Sequence, residues 1–430
     1  MTNKNSLALL GGRRVISYKF KKYNSLGKEE AKAASKVVKS GILSGFIATK
    51  SKEFYGGKYV KKFESKCSKF FKVRYAISVN SWTSGLIAAV GAIDISPGDE
   101  IIVSPFTMSA SVTAIIHWNA IPVFADIDRN TFCLDPKSVI EKITKKTKAI
   151  MLVDINGHPS DIDAFKVISK RFNLKLIIDS AQSIGAKYLN YNKFAGTLGD
   201  VGGFSLNVHK HINTGEGGIV VTNSKKIAEK VYLIRNHGEQ VLSSNSKKRL
   251  RNIIGYNFRM GEIEAAIGVE QLKKFPKILL KIQNLANQLI GGLKNLEGLQ
   301  VPFVKKNVTH AFYNFPLVLD TNRLKISRKK IVAALQAEGV PCREGYLNIH
   351  KLPMYKMKIA YGAQGYPWIL NKEYKKHYKN EKLNIAEEMH EKNYIAIGMC
   401  SYKFNKQDIN MIINSFKKVW SNLETLKKKN

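Results

Sequence analysis

Four stretches of this sequence bring together side-chain types that do chemistry. The richest, Phe204–Ser205–Leu206–Asn207–Val208–His209–Lys210–His211, continues to Gly215–Glu216–Gly217–Gly218 and leads into the apolar run Gly218–Thr222. It sets a lysine between two histidines in a largely polar loop. A lysine that is to form a Schiff base must be unprotonated when it attacks, and burial or neighbouring positive charge lowers its pKa. The plain alternative is a solvated surface lysine. The second stretch is Asp179, directly after the apolar Leu174–Ile178 and followed by Ser180–Ala181–Gln182. A carboxylate at a strand end is placed to pair with a cationic ring nitrogen, or merely to cap a helix. The third, Asn80–Ser81–Trp82–Thr83–Ser84, offers hydroxyls and free backbone N–H groups at a helix start, which suits a phosphate or an ordinary N-cap. The fourth, Gly255–Tyr256–Asn257–Phe258–Arg259–Met260, joins an amide and a guanidinium to two aromatics before a long helix. It reads either as contacts to an anionic ligand or as a polar lead-in.

The elements that must position these residues alternate. Apolar stripes mark helices at Glu29–Lys39, with Gly41 as a stop, and at Tyr59–Phe71, Ser84–Ile93, Ser109–His117 and Ile162–Arg171. Between them lie short β-rich runs at Ala76–Val79, Glu100–Val103, Pro122–Ala125, Ala149–Val153, Leu174–Ile178 and Gly218–Thr222. Strands interleaved with helices predict an α/β domain with a mostly parallel sheet. Ligands then belong outside the carboxyl ends of the strands. A long helix is expected from Glu262 to Leu293, broken near Pro276. Beyond it a smaller α+β domain follows, with the aromatic and basic Tyr361–Lys382 as an insertion or loop. This divides the chain into a large domain, residues 1–275, and a small one, residues 276–430.

Bulk properties narrow the classes. A chain of 430 residues with 44% hydrophobic and 24% charged residues is an ordinary globular protein of two or three domains. It has no apolar run long enough to insert in a membrane and no recognisable secretory leader. Four scattered cysteines without a CxxC argue against disulfides or a structural metal, and fit the cytoplasm. The net charge of +37 is unusual. Because its lysines are spread along the whole chain without a nucleic-acid motif, it reads as general surface charge that favours anionic substrates.

Taken together, the motifs resemble the DegT/StrS family of sugar aminotransferases, within the fold-type I pyridoxal-phosphate enzymes. The matching text includes Pro97–Gly98–Asp99–Glu100, Pro122–Val123–Phe124–Ala125–Asp126, Gly157–His158–Pro159–Ser160–Asp161–Ile162–Asp163, Asp179–Ser180–Ala181–Gln182, Gly199–Asp200–Val201–Gly202, the Lys210 loop, Tyr256–Asn257–Phe258–Arg259–Met260 and Ala265–Ala266–Ile267–Gly268. Order and spacing hold over roughly residues 28–425. The resemblance implies pyridoxal 5'-phosphate as cofactor, held as a Schiff base by Lys210, five positions after Ser205. It implies that Asp179 pairs with the pyridine nitrogen, that Gln182 contacts the ring oxygen, and that Trp82, Thr83 and Ser205 cradle the phosphate. Asn257 matches a phosphate ligand that reaches across from a partner subunit, hence a homodimer with shared active sites. His158, Phe258 and Arg259 are candidate substrate contacts. The implied reaction moves an amino group from glutamate or glutamine to a keto-sugar, nucleotide-linked, for glycan or secondary-metabolite synthesis. Nucleic acid is not an implied partner.

Three positions depart from the family pattern. Trp82 stands where glycine is usual, so its side chain must point away from a phosphate or shape the pocket. Met108 stands where an aromatic residue often stacks on the cofactor ring, a face that a thioether also covers. Ile178 replaces a common glutamate. A branch with histidine in place of the lysine dehydrates sugars; here the spacing from Ser205 puts lysine at the key position. The alternatives are a keto-cyclitol aminotransferase of the scyllo-inosose type, which the opening Leu7–Ala8–Leu9–Leu10–Gly11–Gly12 resembles, and a lysine-retaining dehydratase. From a different class, a basic nucleic-acid-binding protein on an inactive fold is opposed by the intact Lys210, Asp179 and Ser205.

Overall fold

The short apolar runs become strands that are buried on both faces, as continuous stretches such as Ile101–Ile102–Val103 require. A computed structural model describes residues 6–49, 51–239, 254–374 and 382–428. The main sheet contains β1 (Tyr75–Val79), β2 (Glu100–Val103), β3 (Ile121–Phe124), β4 (Thr147–Val153), β5 (Lys175–Asp179), β6 (Val201–Ser205) and β7 (Gly218–Thr222). Their spatial order is β1-β7-β6-β5-β4-β2-β3. β2 runs parallel to β3 and β4, β4 to β5, and β5 to β6, whereas β7 is antiparallel to both β6 and β1. Six strands therefore share one direction, and their carboxyl ends share one edge.

Helices cover this sheet. α1 (Lys28–Ser40) and α2 (Lys58–Phe71) lie near the amino terminus, and α2 buries Val60, Phe63, Cys67 and Phe71 at helical spacing. α3 (Trp82–Ala92) starts at Ser81, whose hydroxyl accepts from the Ser84 N–H. α4 (Ser109–Ile116) follows β2. α5 (Ile162–Phe172) is capped by Asp161 and buries Ile162, Phe165 and Ile168. α6 (Lys225–Arg235) packs against α3.

A second sheet holds β8 (Leu299–Gln300), β9 (Asn314–Leu319), β10 (Cys342–Glu344) and β11 (Tyr394–Gly398), in the order β8-β9-β11-β10 and antiparallel throughout. Its own core joins Phe315, Leu317, Ile395 and Ile397 to Leu285, Leu289 and Leu293 of the long helix α7 (Glu262–Leu293) and to Ile412 and Phe416 of the C-terminal helix Lys406–Trp420.

Three expectations need correction. α7 does not break at Pro276: it runs unbroken from Glu262 to Leu293. Proline removes one backbone hydrogen bond and strains the preceding turn, typically by about 3 kcal/mol. Pro276 lies on the exposed face, while Leu272, Phe275, Ile282 and Leu285 are buried on the other side. At about 1.5–3 kcal/mol for each large apolar side chain, their burial outweighs that loss. Next, Phe204–Ser205 is not the start of a loop but the end of β6, hidden in the sequence because Gly202 and Gly203 lack the side chains that signal a strand. Finally, the stretch read as an insertion is not a free loop where it is described. Trp368 and Tyr374 are buried, the Tyr374 hydroxyl donates to the Pro122 carbonyl at 3.2 Å, and the Asn371 amide donates to Glu100 at 2.7 Å. Residues 375–381 of that basic cluster lie outside the described residues. Among the described residues, no helix is long and apolar enough to cross a membrane.

Candidate active site

The carboxyl ends of the main sheet open into a cavity of about 320 Å³. Val153 and Asp154 end or follow β4, Asp179 ends β5, Ser205 ends β6, and Ser81, Trp82 and Thr83 begin α3 after β1; all line it. The first turn of α3 points free N–H groups and the positive end of its dipole towards the same space. Thr107, Met108 and Ala110 bring the start of α4, and Tyr313 comes from the edge of β9.

Lys210 reaches this cavity from the loop between β6 and β7, only 9% exposed, with its amine 4.3 Å from the centroid of the Tyr313 ring. Burial pulls its pKa down to about 8, although the Asp179 carboxylate works in the opposite direction. The flanking histidines do not supply the expected positive charge. His211 is fully buried, bonded through Nε2 to the Ala311 carbonyl at 2.8 Å, and burial lowers its pKa to about 4, so it is neutral. His209 is exposed at the rim.

Asp179 is held on every side. Trp82 Nε1 donates to Oδ1 at 2.7 Å, the Ala181 N–H donates to the same oxygen at 3.1 Å, and the Ser111 hydroxyl donates to Oδ2 at 2.7 Å. Thr107 and Ser111 share a further hydrogen bond at 3.0 Å. Gln182 accepts from the Asn156 N–H at 2.8 Å and donates to the Tyr346 hydroxyl at 3.0 Å. Asn156 also bonds Tyr394 and Asn314, so the second sheet is tied into the pocket wall. Asp154 is fully buried. Burial pushes its pKa up to about 6, against donation from the Ser180 hydroxyl and from the N–H and hydroxyl of Ser160.

Of the residues singled out by sequence, Trp82, Thr83, Met108, Asp179, Gln182, Ser205 and Lys210 line one cavity. His158 does not. It is 2% exposed, Nδ1 bonds the Pro159 carbonyl at 2.7 Å, Nε2 accepts from the Lys305 N–H at 3.4 Å, and burial lowers its pKa to about 4. It lies outside the cavity of its own chain, with its ring engaged by Pro159 and Lys305. Phe258 stacks on Tyr256 with ring centroids 4.8 Å apart, and Arg259 donates to the Asn257 side chain at 2.8 Å. None of Asn257, Phe258 and Arg259 lines the cavity of its own chain. Sequence reasoning missed Asp154, Ser111 and Tyr313, and gave no role to Asn207 and Glu216 of the Lys210 stretch. Asp154 had a signal, since it follows an apolar strand just as Asp179 does. Ser111 is a lone polar residue on a helix face that is otherwise apolar. Tyr313 had none, because only the folding of β9 against the Lys210 loop brings it near.

A buried amine of lowered pKa, a carboxylate fixed by three donors and a helix start aimed at one cavity fit a pyridine ring that carries an aldehyde, a ring nitrogen and a phosphate. A fold-type I framework with this donor set defines a lysine-based pyridoxal-phosphate aminotransferase. The comparisons agree. The chain belongs to the DegT/DnrJ/EryC1/StrS aminotransferase family, whose profile matches residues 46–373. It is 35% identical over 302 residues to the GDP-perosamine synthase of Escherichia coli O157:H7, covering 70% of this chain and 80% of that one. The aminotransferase from Psychrobacter cryohalolentis superposes with a TM-score of 0.80 at 26% identity, over 94% of this chain and all (100%) of the other. The E coli GDP-4-keto-6-deoxy-D-mannose-3-dehydratase with bound hydrated PLP superposes at 0.73 and 26% identity, over 93% and 99%. The protein is thus a pyridoxal-phosphate-dependent transaminase, of a family of sugar aminotransferases.

Proposed function

We propose that this aminotransferase moves an amino group from glutamate or glutamine to a nucleotide-linked keto-sugar, and that it works as a homodimer with shared sites. What carries the reading is the meeting of Lys210 and Asp179 in one cavity at the carboxyl edge of the sheet. The cofactor, when bound, supplies a carbonyl that takes up the amino group and a ring that accepts electrons from the reacting carbon.

The chain's residues do the rest. Lys210, with a pKa near 8 in the cofactor-free fold, keeps a useful fraction of free amine at neutral pH. Its Nζ would serve as the base that takes a proton from the substrate carbon bearing the amino group. Asp179 supplies a fixed negative charge for the ring nitrogen, and Gln182 an amide for the ring oxygen. The α3 start, with the N–H groups of Trp82 and Thr83 and the hydroxyl of Ser205, suits the phosphate. Met108, 60% exposed at the mouth, is the side chain we assign to covering the ring. Asn257 is exposed on its own chain and is read as completing the site of a partner copy. Residues 276–430 serve as the smaller domain beside the large one, residues 1–275. Phe258 and Arg259 stand as substrate contacts from the same partner-facing stretch. The family relation to a GDP-perosamine synthase supports a nucleotide-linked keto-sugar as acceptor.

The test is the visible absorption spectrum of the purified protein with pyridoxal phosphate, before and after glutamate or glutamine. Wild type is expected to gain the band of a lysine-bound cofactor and lose it when the donor is added, and Lys210→Ala is expected to show neither change. A band that no donor converts points to the dehydratase chemistry instead. Conversion without amination of any nucleotide-sugar directs the search to keto-cyclitols.

A further inference from the structure

Trp82 fills a slot in the interior that the surrounding chain has been shaped to provide. The side chain is 4% exposed and lies between α3 and the main sheet. A Cβ built on Gly203 in β6 would fall 2.3 Å from Trp82 Cζ3, and one on Gly85 of the same helix 2.7 Å from Cε3. On Gly218, at the start of β7, it would fall 2.8 Å from the Trp82 backbone. Gly203 and Gly85 leave room for a bicyclic ring, Gly218 leaves room for the helix backbone that carries it, and the ring ends on a polar target. Its Nε1 donates to Asp179 Oδ1 at 2.7 Å, a length typical of a bond to a charged acceptor. An indole N–H has one proton and no acceptor role, so this bond uses its whole polar capacity.

We propose that Trp82 is a positioning residue: its indole N–H, with the Ser111 hydroxyl on the other oxygen, fixes the Asp179 carboxylate in the orientation that serves the cofactor's ring nitrogen. The inference rests on the reading of Asp179 given above. The two donors divide the carboxylate between them. Trp82 and the Ala181 N–H occupy Oδ1, Ser111 occupies Oδ2, and the carboxylate cannot rotate without giving up at least one of these bonds. Trp82 and Asp179 both line the cavity, so the carboxylate is held at its wall. The same residue contributes its backbone N–H to the first turn of α3 and its side chain to the carboxylate, so one position joins the phosphate end of the cavity to the ring end.

The test separates the N–H from the bulk of the ring. Two forms of the protein reconstituted with pyridoxal phosphate are needed: Trp82→Phe, and a form with benzothienylalanine at position 82, which keeps the bicyclic shape and replaces the N–H by sulfur. The readout is the pH midpoint of the visible band of the lysine-bound cofactor, which titrates the Schiff-base proton and shifts with the charge on the ring nitrogen that Asp179 holds. With one donor lost, Asp179 serves the ring less well. Both forms are expected to move the midpoint by about one pH unit, the size that loss of one charge-assisted hydrogen bond gives. The direction is that produced by Asp179→Asn, which is expected to have the larger effect, whether as a shifted midpoint or as lost cofactor binding. The benzothienylalanine form is expected to keep the melting temperature of the cofactor-free wild type, which excludes a packing defect. If Asp179→Asn has its effect and both Trp82 forms keep the wild-type midpoint, Trp82 is only a packing residue and the proposal fails. If Asp179→Asn itself binds the cofactor with an unchanged midpoint, the reading of Asp179 fails and takes this one with it.

Discussion

The floor of the cavity and the stretch at its rim are built on opposite principles. The floor, at the ends of β4, β5 and β6, is buried and closed on itself: Asp179 has three donors, Asp154 has three, and Gln182 has both ends of its amide engaged. The rim is open. Met108 is 60% exposed, and Asn257, Phe258 and Arg259 bond one another or their neighbours and do not line this cavity in their own chain. A polar group in a dry interior must find its partners within the same fold, whereas one at the surface is free to be completed by another molecule. The contrast sets polar groups already satisfied within one chain against exposed groups at the rim that another molecule could complete.

Breaking the floor has the largest expected effect. Lys210→Ala removes both the cofactor's tether and the proton carrier, and the rate of amino transfer is expected to fall by about 10⁴ or more. Steady-state assays with cofactor in excess measure this, and a variant within tenfold of wild type would show that another base does the work.

The rim is tested by complementation. Asn257→Ala is expected to weaken cofactor binding about tenfold, as loss of one hydrogen bond to a charged group does. If the residue serves the neighbouring copy, refolding equal amounts of Lys210→Ala and Asn257→Ala chains together creates one intact site in each mixed pair. Under two-fold symmetry about a quarter of all sites then regain wild-type affinity for the cofactor, read as activity at a cofactor concentration too low to load Asn257→Ala alone. No recovery on mixing would place Asn257 in the service of its own chain.

A subtler effect separates the two regions by pH. Burial lowers Lys210 to about 8 from the ordinary 10.5, so in the cofactor-free protein the charged amine is a burden on the fold below pH 8. That burden disappears as pH rises from the folded value towards the unfolded one. Lys210→Met is therefore expected to stabilise the cofactor-free protein at neutral pH, by up to about 3 kcal/mol, with the gain shrinking steadily above pH 8. Denaturant melts across that range give the answer, and a gain that does not depend on pH would point to packing alone.

The smallest effect belongs to His158, which lies beneath the site and not in it. His158→Asn is expected to leave kcat and KM within about twofold while lowering stability by about 1–2 kcal/mol through the bonds to Pro159 and Lys305. A large rise in KM alone would return it to the substrate.

Much of the site was legible in the sequence because it depends on local order. A strand end followed by a polar turn is written in a handful of adjacent residues, as at Asp179 and at the Ser81–Thr83 turn into α3, while Lys210 stood out through the residue types of its own loop. The alternation of apolar runs likewise gave the parallel sheet. Other features needed the whole fold. Pro276 forbids a helix locally, but α7 continues because its apolar stripe binds both cores. Gly202 and Gly203 weaken a strand locally, but neighbours on both sides complete it. The lowered pKa of Lys210 was foreseen; that burial lowers it and the histidines do not was settled only by where His211 packs. Trp82 is the sharpest case. Its residue type departs from the expected glycine, and nothing in the adjacent residues says where an indole would go. Gly85 on α3 and Gly203 on β6, far apart in sequence, leave the space through which it reaches Asp179. Periodicity and capping act between near neighbours and so are written in sequence. Burial, charge environment and the partner of a long side chain depend on contacts between distant segments, which only the tertiary structure supplies.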